Sequence, residues 1–469
     1  IYHSGDDLTG KKYIFATIQT LSREENLKAF SKDFFDYILI DEVHKAGADS
    51  YKKVMDHFTP NFYLGMTATP ERTDGQNIYE IFDYNIAYEI RLQDALENDM
   101  LCPFVYFGVK DIEIDGQLID EKSNISNLTS DERVKHILNK IDFYGVCNNQ
   151  VRGLIFCSSK SEARELSIKL NQHGKRTIAL TGDDDINYRE KVVKQLEDGE
   201  LEYILTVDIF NEGIDIPSVN QVVMLRNTQS SIIFVQQLGR GLRKHKSKDY
   251  VTIIDFIGNY KNNYLIPIAL FGDKSMNKDN YRRELREPNI LSGLTTVNFE
   301  EVAKEQIFKS ITNTVLSNMK ILKDAYTDLE NKLGRTPMLI DHLTFDNIDP
   351  IVFFNNNSFK NYADVINKFS NKSIELTDTE INWLSFITFE LLPGKRKHEL
   401  LLLQELIKNG EVSKDNFIEI LETEQLSTKD SIISSVENVL SLQFLKSQEV
   451  KKFGTEPLVT LEKYVYKLN

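Results

Sequence analysis

Apolar and polar positions fall into two textures along this chain. From Tyr13 to about Leu92 short apolar runs alternate with amphipathic stretches, and Tyr13 to Ile18, Tyr37 to Ile40 and Phe62 to Met66 read as buried parallel strands. The series resumes at Gly153 to Cys157, Thr177 to Leu180, Tyr203 to Val207, Val222 to Leu225 and Val251 to Ile254, with helical patterns such as Ser161 to His173 between them. Alternating strands and helices mean α/β, so two parallel-sheet lobes are expected, over 1–95 and 151–285. The connecting segment 96–150 holds strand-like Pro103 to Val109, an acidic stretch and the amphipathic helix Glu132 to Phe143. After about Arg286 the period becomes helical, as in Val302 to Leu333 and Tyr362 to Phe369, which predicts a helical accessory domain over 286–395. From His398 the order is three helices and then β-rich Leu458 to Lys467. That order over 396–469 suits a winged helix-turn-helix, although other small α+β domains share it.

Composition narrows the class. A chain of 469 residues exceeds what one core can serve. No apolar run nears the ~20 residues that span a bilayer, no signal peptide opens the chain, and a cytoplasmic protein without membrane contact is expected. Cys102, Cys147 and Cys157 form no CxxC pair, which argues against a zinc site or disulfide framework. The net charge of -15 runs against a nucleic-acid binder, because phosphate contacts need Lys and Arg. Net charge hides distribution, however, and basic clusters occur at Arg243 to Lys248, Arg282 to Arg286 and Lys395 to His398.

Candidate chemistry begins at Ile38 to His44, an apolar strand that ends in Asp41, Glu42, Val43 and His44. Strand ends are where α/β sheets place ligands. Phosphoryl transfer needs one carboxylate to hold Mg²⁺ through its water shell and another to orient the attacking water. Asp41 and Glu42 suit those two roles, while an adjacent acidic pair standing alone also caps helices. Gly65 to Pro70 follows the next strand and brings the hydroxyls of Thr67 and Thr69 to the same sheet edge, within reach of His44 or the carboxylates. In the second lobe, Gln236 to Arg243 sets Arg240 and Arg243 on one face of a helical stretch, the presentation that lets guanidinium groups meet triphosphate oxygens.

Together these segments resemble superfamily 2 helicases of the DEAH-like branch. Asp41 to His44 is similar to motif II, Thr67 to Thr69 to motif III and Gln236 to Arg243 to motif VI. Ala16 to Thr20 is similar to motif Ib, Leu154 to Ser159 to motif IV and Asp208 to Pro217 to motif V. The resemblance implies two RecA-like lobes with ATP and Mg²⁺ between them and nucleic acid, DNA in preference to RNA, running across both. It assigns Asp41, Glu42, His44, Gln236, Arg240 and Arg243 to catalysis and Gly213 and Asp215, with the two arginines, to the nucleotide. Thr67 and Thr69 would couple the lobes, and Thr17, Gln19 and Ser158 would lie on the nucleic-acid track.

Two departures stand out. Val207 occupies the place where motif V of many relatives has threonine, and the chain opens almost at motif Ib. Gly5 to Lys12 fits GxxxxGK, but Lys12 stands where Ser or Thr should meet Mg²⁺, Asp6 and Asp7 would repel phosphate, and a strand is expected to follow. The first lobe is therefore expected to be incomplete, without its Walker A loop, and the polypeptide itself inactive as an ATPase. The remainder resembles bacterial helicase-like proteins with a C-terminal domain of unknown function, some preceded by a nuclease domain. A non-catalytic scaffold, or the motor subunit of a restriction or defence complex, is the alternative to a helicase or translocase.

Overall fold

The computed structural model describes residues 11–43, 49–67, 77–114, 116–120, 123–148, 150–207, 216–226, 239, 241–286, 295–394, 396–454 and 456–469. They form two compact units, Ile1–Val315 and Leu316–Asn469.

Two parallel sheets organise the first unit. The smaller pairs β1 (Tyr37–Ile40) with β2 (Phe62–Gly65), matching Tyr37 to Phe62 and Ile40 to Gly65. Side chains alternate across a strand. Ile38 and Ile40 pack inward against neighbours such as Tyr63 and Met55, whereas Tyr37, Leu39 and Phe62 are 73%, 59% and 50% exposed. An apolar face left open on a parallel sheet is unusual, since such sheets are normally covered on both sides. Tyr13 to Ile18, expected as a third strand, is not one: Tyr13 and Phe15 are exposed and only Ile18–Leu21 is regular, as a short helix. A strand persists only where a neighbour completes its hydrogen-bond ladder, and this segment has none among the described residues.

The larger sheet has seven parallel strands: β3 (Phe104–Lys110), β6 (Gly153–Phe156), β7 (Thr177–Leu180), β8 (Tyr203–Thr206), β9 (Gln221–Met224), β10 (Val251–Ile257) and β11 (Thr296–Phe299), in the order β11-β3-β10-β9-β6-β8-β7. A two-stranded ribbon of β4 (Glu113–Ile114) and β5 (Gln117–Leu118) follows β3. Every residue of β6, β8, β9 and β10 is buried, the condition of strands with helices on both faces. Helices Asp131–Tyr144 and Lys160–Gln172 cover one face through Val134, Ile137, Ile141, Ala163, Leu166 and Leu170. β3 lies within the stretch read as a connection, and β11 within the stretch read as helical, yet both complete this sheet.

The second unit opens with helices. Met319–Leu333 starts on the Asn318 cap and ends at Gly334 in the left-handed region (φ 65°). Arg335 then grips Asp341 bidentately at 2.6 and 2.9 Å, and Asp341 also accepts the Met338 N–H at 2.6 Å. Thus Gly334 to Pro337 works as a structural turn between helices. The last part runs helix His398–Asn409, β12 (Glu411–Ser413), helices Lys414–Thr423 and Asp430–Leu440, then β13 (Val459–Glu462) and β14 (Val465–Leu468). Its antiparallel sheet has the order β12-β14-β13 over a core that includes Leu402, Leu406, Phe417, Ile433, Val436 and Tyr466.

Candidate functional site

The carboxyl edge of the β1-β2 sheet brings the predicted motifs II and III together. Beyond the strand ends the two chains stay bonded: the Met66 N–H donates to Ile40 O at 2.9 Å and the Val43 N–H donates to Met66 O at 2.9 Å. Thr67 therefore leaves the sheet beside Asp41 and Glu42. Gly65 permits this closeness, because a Cβ there would sit 2.6 Å from the Phe82 ring and 2.9 Å from Val43. Val43 and Ile40 are buried and anchor the edge, while Asp41 is exposed. Glu42 has φ 51°, a left-handed backbone that side chains disfavour, and its N–H donates to Asp41 Oδ1 at 2.9 Å. Strained backbone at a sheet edge is where functional residues concentrate. His44 and Thr69 lie outside the described residues.

Further predicted residues scatter in role. Thr17 caps the helix Ile18–Leu21, accepting from the Thr20 N–H at 3.3 Å and lying 2.9 Å from the Thr20 hydroxyl, while Gln19 is exposed. Ser158 is exposed at the end of β6, but both its N–H (2.7 Å) and its hydroxyl (2.6 Å) donate to Glu162 Oε2. Its proton is committed, so toward a phosphate it offers only lone pairs. Arg243 is exposed just past Leu242, whereas Gly213, Asp215, Gln236 and Arg240 lie outside the described residues.

What holds these segments was not apparent from spacing. Glu162 is itself gripped by Arg133, fully buried, whose guanidinium donates to Glu162 Oε1 at 2.8 Å, to Asp111 at 2.8 and 3.2 Å, and to the Leu128 carbonyl at 2.9 Å. Burial opposes the charge on Arg133, and Asp111 and then Glu162 overcome it, so the group stays protonated. In the predicted motif VI, buried Lys248 donates to the Gly241 and Val219 carbonyls, both at 2.6 Å, and Leu242 O accepts the Cys102 N–H at 2.7 Å. Lys248 thus leaves the basic surface cluster to pin the segment that carries Arg243. Tyr106 donates to Asp255 at 2.5 Å inside the sheet, and burial pushes that carboxyl up to about 7. The three cysteines are free, and no cluster of three metal-ligating side chains occurs among the described residues.

A parallel α/β frame with adjacent carboxylates and threonine at one sheet edge, and an arginine-bearing segment pinned to a second sheet, makes this a superfamily 2 helicase-type chain. Residues 2–72 match the family described as type III restriction enzyme, res subunit, and 132–245 match the helicase conserved C-terminal domain. Residues 322–469 match a domain of unknown function, DUF8090. Similar proteins include the ATP-dependent-helicase-like IRC3 of Saccharomyces cerevisiae, 29% identical over 54% of this chain and 38% of the relative. A type I restriction enzyme EcoAI endonuclease subunit of Escherichia coli is 28% identical over 50% of this chain and 33% of its own length. The DNA 3'-5' translocase XPB2 of Sulfurisphaera tokodaii is 25% identical over 47% of this chain and 58% of its own. The chain spans less than two thirds of each of these relatives. No described helix is long and apolar enough to cross a membrane.

Proposed function

We propose that this chain forms the greater part of an ATP-driven motor that moves on nucleic acid, with DNA preferred over RNA. The observation that carries the reading is the joint placement of Asp41, Glu42 and Thr67 at one parallel-sheet edge, with Glu42 held in left-handed backbone. Glu42 would orient the attacking water and Asp41 would hold Mg²⁺ through its water shell; Thr67, with Thr69 and His44, would link that edge to movement of the other lobe. Arg243, with Arg240 and Gln236, meets the phosphates from the second lobe, and Gly213 and Asp215 border the nucleotide. Exposed Asp41, with oxygen donors only, suits a hard ion such as Mg²⁺ that keeps most of its water. Bound there, the ion would neutralise charge on the phosphates. The open apolar face of β1 and β2 supports a first lobe completed by further elements, the Walker A loop among them. The DNA preference draws on the likeness to a DNA translocase.

Likeness to restriction-enzyme subunits favours one narrower setting, a motor within a restriction or defence complex whose nuclease lies elsewhere. The order of elements over 398–469 supports the winged-helix reading of the C-terminal end. Its third helix, Asp430–Leu440, carries no basic residue, so we assign it to a protein contact instead of a DNA groove. Glu42→Gln in a protein extended upstream to a full first lobe tests the site. Turnover should fall by roughly 10² to 10⁴ while ATP binding, followed with a fluorescent analogue, persists. Unimpaired turnover would sink the assignment of Glu42.

A further inference from the structure

A chain of net charge -15 gathers cations on one short helix of the first unit, Lys278–Arg286. Tyr281 and Leu285 are buried, Arg283 and Arg286 are exposed, and Lys278 and Arg282 are half-buried, with Lys278 donating to the Thr312 carbonyl at 2.9 Å. Arg282, Arg283, Arg286 and Asp279 line an open recess of about 570 Å³. Lys278, Arg282 and Arg286 succeed one another at i, i+4 and i+8, an arrangement in which each like-charged pair weakens the helix by roughly 0.2–0.5 kcal/mol. The helix dipole favours the arginines in the last turn but opposes Lys278 in the first, so complementing the dipole does not account for the set.

Acidic relief is thin. Burial first, then the neighbouring Asp273, push the Glu284 carboxyl up to about 8 against the pull of Arg283, which weakens it as a counter-charge. Asp279 is the remaining acid on the helix, and it pairs with Arg282 at 3.0 Å. Neither Arg283 nor Arg286 has a carboxylate within ion-pair distance among the described residues. The guanidiniums are also held in place. Arg282 donates to the Thr312 hydroxyl at 3.2 Å, and Arg286 lies 6.0 Å from the centre of the Phe308 ring, both partners being on the packed helix Glu301–Asn313. Pre-positioned arginines present fixed positive charge to phosphate oxygens.

We infer that this recess binds the phosphodiester backbone of a nucleic-acid strand, at a site separate from the segments resembling helicase motifs. Among the described residues no aromatic or apolar side chain lines it, so it reads backbone charge and not base identity. The choice of nucleic acid among polyanions rests on the motor reading; the anion site itself rests on the helix.

The test is equilibrium binding of the 469-residue chain to a fluorescein-labelled oligodeoxythymidine across a salt series. The double substitution Arg283→Ala with Arg286→Ala removes two exposed groups, one of them the partner of the Phe308 ring. It should weaken binding roughly tenfold at low salt and flatten the plot of log K against log salt by about 0.7 for each arginine. The matching Arg→Lys pair, which keeps the charge, should retain affinity within about threefold. Unchanged affinity and slope in the alanine pair overturns the inference, as does equal loss in the lysine pair, or no binding by the unsubstituted chain at low salt. ATP turnover by an extended protein judges the motor reading separately, so either can fail while the other stands.

Discussion

Glu42 is the residue at which backbone and chemistry meet. A glutamate at φ 51° persists only where its surroundings impose it, at a cost of about 1–3 kcal/mol, and here the bonds from Val43 and Met66 across the sheet edge do so. The adjacency of Asp41 and Glu42 after an apolar strand was legible in the sequence, because a sheet edge and a carboxylate pair are both local features. What Ser158 does was not: the resemblance to motif IV placed it on a track, but only the fold reveals that Glu162 takes both of its protons. Asp255 was silent for a similar reason, since burial and Tyr106 come from distant parts of the chain. Its carboxyl rises from 3.8 to about 7, chiefly by burial. The folded state therefore binds more protons than the unfolded across that window, and stability falls as pH climbs from about 4 to about 7. Asp255→Asn, which can still accept from Tyr106, should flatten the fall in melting temperature over that range. The slope that Glu284 contributes up to about 8 would remain. A melting profile of undiminished steepness in the variant would remove Asp255 from this account.

At the scale of elements, apolar runs located β6 to β10 well, because strands buried in a parallel sheet are predominantly apolar. Edge and isolated segments were harder. β11 alternates exposed and buried residues over four positions, too short to announce a period, and Tyr13 to Ile18 has strand composition without a strand to pair with among the described residues. The tie between elements is Arg133, which joins the helix Asp131–Tyr144 to Asp111 beyond β3 and to Glu162 of the helix Lys160–Gln172. Arg133→Met would leave two buried carboxylates without their cation. It should destabilise the first unit by about 3–5 kcal/mol, seen as a lowered urea midpoint. A shift within about 0.5 kcal/mol would mean that Asp111 and Glu162 are neutral or hydrated without the arginine.

For the molecule as a whole, the central claim is that the carboxylate edge of the first sheet and the arginine segment of the second belong to one ATP-driven motor on nucleic acid. Order along the chain made this legible, since segments similar to motifs Ib to VI follow one another from Ala16 to Arg243. The role of Leu316–Asn469 was not legible, because the segments similar to helicase motifs all precede it and a charged pair such as Arg335 with Asp341 holds a turn together. The most direct measurement is steady-state ATP hydrolysis, with and without single-stranded and duplex DNA, by this chain and by a version extended upstream through a complete first lobe. The account predicts that only the extended protein turns over ATP and that DNA raises its rate. Absence of hydrolysis by the extended protein under every condition would contradict it and favour a scaffold.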